Sequence, residues 1–316
     1  MRFGVLTSGG DAPGMNATIR AVVRTALHYG HDIYGIRDGF QGLINNDMVL
    51  LLHDDVSGML TKGGTFLGTA RSEEFKTRKG QELAIRNLQK RKIDTLIVIG
   101  GNGTFLGAQA LTELGVKVIG IPATIDNDLG GSDYTIGFHT ALNTIVDAID
   151  KLRDTSSSHQ RCSIIETMGR EGGDLALFAG VCGGAEFIIT KEHMIEKDVM
   201  IKKLREWKKE GRSHAIIVTT ENIFNVFELA KEISDKSGFA TRATVLGYIQ
   251  RGGNPVPEDR ILATQLGSYA VQLAMDDISG VGIGLRQNTL THATFDIVLN
   301  ETVDRSLLYE LVDRVS

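Results

Sequence analysis

Residues 95–108, TLIVIGGNGTFLGA, pass from an apolar run through a glycine turn into the start of a helical pattern. A strand that feeds Gly-Gly-X-Gly and then a helix aims backbone N–H groups and the positive helix end at one point, a geometry suited to phosphate. Alone, the same stretch also reads as a tight βα turn that only packs. Its strand belongs to a repeated rhythm. Apolar runs at Phe3–Leu6, Ile33–Ile36, Leu96–Ile99, Val118–Ile121, Ser163–Ile165, Phe187–Ile189, Ala215–Val218 and Thr244–Leu246 read as strands. Between them, helical patterns lie near Met15–His28, Gln81–Lys90, Thr104–Glu113, Phe138–Leu152, Leu175–Cys182, Asp198–Lys209, Asn225–Ser234 and Asp259–Met275. Strands separated by helices need right-handed crossovers, which predicts an α/β fold of mostly parallel sheets covered on both faces. Ligands then collect at the carboxyl ends of the strands, so those loops carry the chemistry.

The chain has 316 residues, 42% hydrophobic and 23% charged, enough for one large or two ordinary cores; two α/β lobes are expected. The formal net charge is −5 with signs interspersed, which predicts neither a nucleic-acid nor a membrane surface. No apolar run reaches the ~18 to 20 residues of a membrane span. MRFGVLTSGG enters a strand without a signal-peptide profile, so the expected compartment is the cytoplasm. Cys162 and Cys182 lack metal-ligand spacing and are expected to be buried thiols.

Four loops stand at predicted strand ends. TSGGDAPGMNATIR, residues 7–20, has the G-x-x-x-x-G spacing of a P-loop from Gly9 to Gly14, but Met15 and Asn16 replace its Lys and Ser/Thr. It is not a Walker A site, although a phosphate fits the Gly9–Gly10–Asp11 backbone. GGTFLGTARSEEF, residues 63–75, leaves Arg71 free to project. The third loop is the opening stretch. The fourth, GIPATIDNDLGGSDYTIG, residues 120–137, sets Thr124, Asp126 and Asp128 two residues apart, on one side of an extended backbone. Two such carboxylates can divide general-base work from Mg²⁺ contact; an Asx-rich turn is the plainer reading. Arg161, Arg170, Arg242 and Arg251 then appear at strand ends beside glycines, with Glu221 closing another strand. The guanidinium fork suits phosphate.

TSGGDAPGMNA, GGTFLGTAR, IGGNGT, TIDNDLGGSDYTIGFHTAL, RDTSSSHQR, ETMGREGGD and LGYIQRGGNP resemble, in order and spacing, the signatures of the bacterial 6-phosphofructokinases from Phe3 to about Gly284. The resemblance implies a two-lobed three-layer α/β sandwich, with residues 1–137 plus 250–300 as the nucleotide lobe and 138–249 plus 301–316 as the sugar-phosphate lobe. It implies Mg²⁺ and ATP, fructose 6-phosphate as acceptor, and a homotetramer whose active sites borrow arginines from a neighbour. Asp126 is implied as the base for the C1 hydroxyl. Asp128 and Asn102 would face the metal, and Arg71, Thr124 and Gly10 the phosphoryl group in flight. Ser72, Gly101, Gly103 and Thr104 are implied at the nucleotide. Arg161, Arg242 and Arg251 would take the 6-phosphate, and Met168, Gly169, Arg170, Glu221 and Tyr248 the sugar.

Pyrophosphate-using relatives resemble one another in carrying Asp where this chain has Gly103 and Lys where it has Ala123. ATP is therefore the expected donor, with the Ala123 methyl narrowing the pocket. Asn102 stands for an aspartate, Ser72 for a larger residue and Tyr248 for a histidine. The effector-site positions Arg20, Arg24, Arg153, Glu186, Arg212 and His214 match, whereas His53, Gly58, Glu210 and Ser213 do not, so weakened or absent effector control is expected. Two other readings stand beside an active kinase: an impaired paralogue acting as a regulatory subunit, and a kinase for another phosphosugar.

Overall fold

A computed structural model of the protein describes residues 1–315. Two compact units form, one from Met1–Thr140 with Arg251–Val303, the other from Ala141–Gln250 with the stretch from Asp304 onward. In the first unit the chain runs β1 (Arg2–Ser8), α1 (Met15–His28), β2 (Asp32–Ile36), α2 (Gly39–Asn45), β3 (Met48–Leu50), α3 (Arg78–Arg91), β4 (Thr95–Gly100), α4 (Asn102–Glu113) and β5 (Val118–Pro122). Helix α5 (Phe138–His159) leads into β6 (Arg161–Thr167), α6 (Asp174–Cys182), β7 (Phe187–Ile189), α7 (Lys197–Lys209), β8 (Ala215–Thr220), α8 (Val226–Ser237) and β9 (Ala240–Val245). The chain then returns to the first unit as α9 (Pro257–Met275), β10 (Val281–Arg286), β11 (Thr289–Thr294) and α10 (Phe295–Asn300), and α11 (Ser306–Val315) belongs to the second.

The first sheet has the order β11-β10-β5-β4-β1-β2-β3, parallel except at its two edges, where β2 pairs β3 and β10 pairs β11 in antiparallel fashion. Every residue of β4 is buried, as a central parallel strand covered on both faces must be. One face carries a core in which Phe40, Leu88, Phe105 and Phe295 bring in α2, α3, α4 and α10. On the other, α1 meets α9 so closely that a methyl at Gly267 would stand 2.7 Å from the Ala21 methyl. The second sheet, β7-β8-β6-β9, is wholly parallel, and α7 and α8 share its apolar core through Met200, Leu204, Leu229 and Ile233.

The predicted rhythm misses α2, β3, β10, β11, α10 and α11. β3 has only three residues, two of them exposed, too short for a periodic signal. β9 begins four residues before the expected run because it is an edge strand whose first half, Ala240–Thr241–Arg242, has no apolar run to mark it. Cys162 is buried, and burial pushes its thiol up to about 12; Cys182, at the end of α6, is exposed, contrary to expectation.

No local pattern singles out Asp259, yet it is fully buried and anchors the start of α5. Its carboxylate accepts the Gly137 N–H at 2.9 Å, the Thr140 N–H at 2.8 Å and the Thr140 hydroxyl. Asp259→Ala leaves these donors without acceptors and is expected to cost about 3 kcal/mol or more, read as a lower midpoint in urea unfolding; Asp259→Asn should lose less.

Candidate active site

Strand order reverses between β1 and β4: the chain leaves β1 toward β2 on one side and leaves β4 toward β5 on the other. In open parallel sheets such a switch point opens a crevice outside the carboxyl ends. Ser8 pairs with Gly100, and Gly100 with Pro122, so three loops start at one level. Gly100 has no room for a side chain: a Cβ would lie well inside contact of the Ser8 carbonyl and the Thr104 hydroxyl. Thr104 is fully buried, donating its hydroxyl to the Ser8 carbonyl at 2.9 Å and its N–H to the Gly101 carbonyl at 2.9 Å. Thr104 positions the loop and has no donor left over.

What faces outward is backbone. Asn102 and Gly103 open α4, and the first N–H groups of a helix have no intrahelical acceptor. A Cβ at Gly103 would meet nothing within 4 Å, so protein packing does not demand glycine there. The space remains for a ligand. Across the switch, Gly9 has φ +85°, and Gly10 lies directly under the Arg251 guanidinium, which a Cβ there would displace. That guanidinium reaches the Asp11 carbonyl at 3.4 Å, while its buried Nε has no partner. Arg71 is exposed. Ser72 is held structurally, donating to Gln41 Oε1 at 2.7 Å and accepting the Phe75 N–H at 3.1 Å. The Ala123 methyl is fully buried.

The acidic loop is a turn, not the extended segment that its spacing predicts. The Thr124 hydroxyl accepts the Asp126 N–H at 3.2 Å and lies 3.4 Å from Asp126 Oδ2, while Asn127 takes the left-handed conformation, φ +53°. Asn127 Oδ1 accepts the Thr135 N–H at 2.8 Å, and the Thr135 hydroxyl donates to the Thr124 carbonyl at 2.6 Å. Asp126 is buried, 7% exposed, at the floor of this turn. Asn102 Nδ2 donates to Asp128 Oδ2 at 2.6 Å; that close to a carboxylate an amide presents its NH₂. Asn102 therefore orients Asp128, and its Oδ1 is the oxygen left to face a metal or a metal-bound water.

Among the described residues, no three His, Cys, Asp or Glu side chains are grouped to hold a metal. The donor set still fits Mg²⁺, which is usually bound by one or two carboxylates with substrate phosphates and water rather than by an all-protein cage. The half-buried Asp128 carboxylate, fixed by an amide, would supply one such ligand.

In the second unit, the ends of β6, β8 and β9 carry the expected sugar residues. Glu221 Oε1 accepts the Arg170 N–H at 3.1 Å, with Arg170 at φ +56°. Gly169, φ +146°, leaves room for the Gly172 carbonyl. Burial, and then the charge of Glu221, hold Glu166 above the ordinary carboxylate value. Tyr248 is 82% exposed. The sequence reading missed Gln250, which is fully buried: its Oε1 accepts the Met168 N–H at 3.1 Å and its Nε2 donates to the Gly247 carbonyl at 2.9 Å. Arg161 opens β6, and Arg242 on β9 pairs with Ser163. Six strand residues, roughly 20 Å, separate Arg161 from Met168, beyond the reach of one sugar phosphate.

The effector-like residues fall into two groups. Arg20 and Arg24 stand one turn apart on α1, and burial, then the Arg24 charge, lower Arg20. In the second unit Arg153 lies 3.3 Å from His214 Nε2 and donates to the Gly183 and Gly184 carbonyls. Glu186 accepts the Ile216 N–H at 2.7 Å, and Arg212 covers Trp207 at 4.4 Å. Gly184, Glu186 and Arg212 line a cavity of about 240 Å³.

Backbone donors, a helix start and a buried carboxylate at one switch point form a phosphoryl-transfer site in an α/β protein. A phosphofructokinase family model matches residues 2–274, and the chain belongs to that family. The ATP-dependent 6-phosphofructokinase of Photobacterium profundum is 52% identical over 316 residues, 99% of each chain. Its counterpart in Oceanobacillus iheyensis is 49% identical, over 100% of this chain and 99% of that one. Phosphofructokinase from Saccharomyces cerevisiae matches at TM-score 0.87 and 32% identity, covering 99% of this chain and 46% of that chain. A pyrophosphate-dependent phosphofructokinase from Marinobacter aquaeolei, at TM-score 0.86 and 20% identity over 95% of this chain and 84% of that one, shares the fold.

Asn102→Asp would set two carboxylates in contact, and such a pair retains one proton. The variant's Mn²⁺ affinity, measured by paramagnetic resonance on substrate-free protein, should fall by about tenfold for each unit that the pH is lowered once that proton is held. The parent should change little over the same range, and Asn102→Ala should bind more weakly with no new pH dependence.

Proposed function

We propose that the chain transfers the γ-phosphoryl group of ATP to the C1 hydroxyl of fructose 6-phosphate, yielding fructose 1,6-bisphosphate and ADP, as a cytoplasmic glycolytic enzyme. The reading is carried by the three in-register loops that bring Gly10, Gly103 and the Thr124–Asp126 turn to one switch point. Relatives at about half identity over nearly the full length are ATP-dependent 6-phosphofructokinases, which does not favour a non-catalytic subunit.

Asp126 accepts the C1 hydroxyl proton as that oxygen bonds to the γ-phosphorus. The bond from phosphorus to the β–γ bridging oxygen breaks, and ADP leaves with its electron pair. Charge on the phosphoryl oxygens is met by Arg71, the Gly10 N–H and the Thr124 hydroxyl, since positioning and electrostatics do most of the work in this chemistry. Mg²⁺, when bound, supplies charge neutralisation at the β- and γ-phosphates; Asp128 would hold it and Asn102 would keep Asp128 in place. Room at Gly103 favours ATP over pyrophosphate, because a carboxylate there would repel the α-phosphate.

Met168, Gly169, Arg170, Glu221 and Tyr248 bind the sugar, and a phosphate oxygen would satisfy the unpaired Nε of Arg251. Arg161 and Arg242, toward the start of their strands, serve the site of a neighbouring subunit, so the working form is an oligomer, which we take to be a homotetramer. Control by ADP or phosphoenolpyruvate is weak, because Glu210 sets an anion where the site needs a cation.

A coupled assay with fructose 6-phosphate and ATP·Mg²⁺ tests the activity; a background rate, or faster turnover of another phosphosugar, would remove the reading. Asp126→Ala should lower kcat by at least ~10²-fold while leaving fructose 6-phosphate binding nearly intact, as for loss of a general base. Equal mixing of Asp126→Ala and Arg242→Ala chains, denatured and reassembled together, should restore about a quarter of the parent activity if each site draws on two chains. A mixture no more active than its components would confine each site to one chain.

A further inference from the structure

A second cavity in the unit of α7 and α11, about 260 Å³, is lined by none of the residues assigned to phosphoryl transfer. Val199, Lys203 and Trp207 form one wall, four residues apart on a single face of α7. Phe187 meets Trp207 with ring centroids 5.3 Å apart, and across the cavity His193 stacks on Tyr309 at 4.7 Å. These rings are fixed. The Tyr309 hydroxyl bonds the Thr190 hydroxyl at 2.6 Å, and the same Thr190 oxygen accepts the His193 N–H at 3.1 Å. Arg212 occupies one face of Trp207.

Close-packed interiors rarely leave voids larger than a water molecule, and a preformed apolar cleft with aromatic walls and few polar groups is the usual form of a small-molecule site. Its size falls below the drug-sized range of about 300–1,000 Å³, which limits the occupant to one or two fused rings. Lys203 is the only Lys or Arg lining it among the described residues, and it is exposed. Among the described residues, the one lining carboxylate, Glu186, already accepts the Ile216 N–H. We propose that this cavity binds a small planar aromatic carboxylate, with its ring between the aromatic walls and its carboxylate on the Lys203 ammonium.

Trp207 is the single tryptophan of the chain, so its fluorescence reports on the cavity directly. Titrating the full-length protein with 4-bromobenzoate, a heavy-atom quencher, should give saturable quenching. Cyclohexanecarboxylate should not compete for the site, and benzoate should. Lys203→Met should weaken binding about tenfold by removing the charge-assisted bond, and Val199→Phe should abolish saturation by filling the cavity. Neither residue serves the kinase reaction, so unchanged activity in both variants certifies their fold. Quenching that stays linear, or saturates equally in parent and both variants, would overturn the proposal.

Discussion

A hydrogen bond of 2.9 Å from the Thr104 hydroxyl to the Ser8 carbonyl ties the start of α4 to the end of β1, across the point where strand order reverses. It forms only because Gly100 carries no side chain. With β1, β4 and β5 in register, the bond holds the first N–H groups of α4 level with the Gly9–Gly10 turn. A phosphate-binding surface made of backbone follows, and it needs no lysine of the Walker kind.

Within each unit, loops at the strand ends are held by buried polar side chains. Asn127 and Thr135 close the acidic turn, Asp259 fixes the entry to α5, and Gln250 joins Met168 to Gly247. Leaving any one of these groups unpaired costs about 1–3 kcal/mol, so the loops have few alternatives to the observed conformation. Donors fixed in this way lose little on meeting developing charge, which is where electrostatic stabilisation is most effective.

Asn102 shows how one atom changes the character of a site. A carboxylate at that position would add a charge but repel Asp128; the amide gives up the charge and orients its neighbour at 2.6 Å. At the other extreme, Cys162 is removed from chemistry altogether, because burial keeps its thiol protonated.

Local patterns in the sequence carried much of the molecule: the central strands, the glycine turns after β1 and β4, and the Thr124–Asp126–Asp128 cluster all arise from neighbours in the chain. Spacing and glycine placement express rules that act over a few residues. What only the tertiary structure decided depends on distant pairs. Asn102 and Asp128 are 26 positions apart, Met168 and Gln250 are 82 apart, and Arg251 and Asp11 are 240 apart. No local pattern marks Thr104 as buried, Gln250 as a bridge or Asp259 as an anchor, since each role is set by the group that the fold brings opposite. The short antiparallel edges, the exposure of Cys182 and the aromatic cavity under α11 are likewise products of packing. They follow from which faces remain uncovered once the parallel sheets have formed.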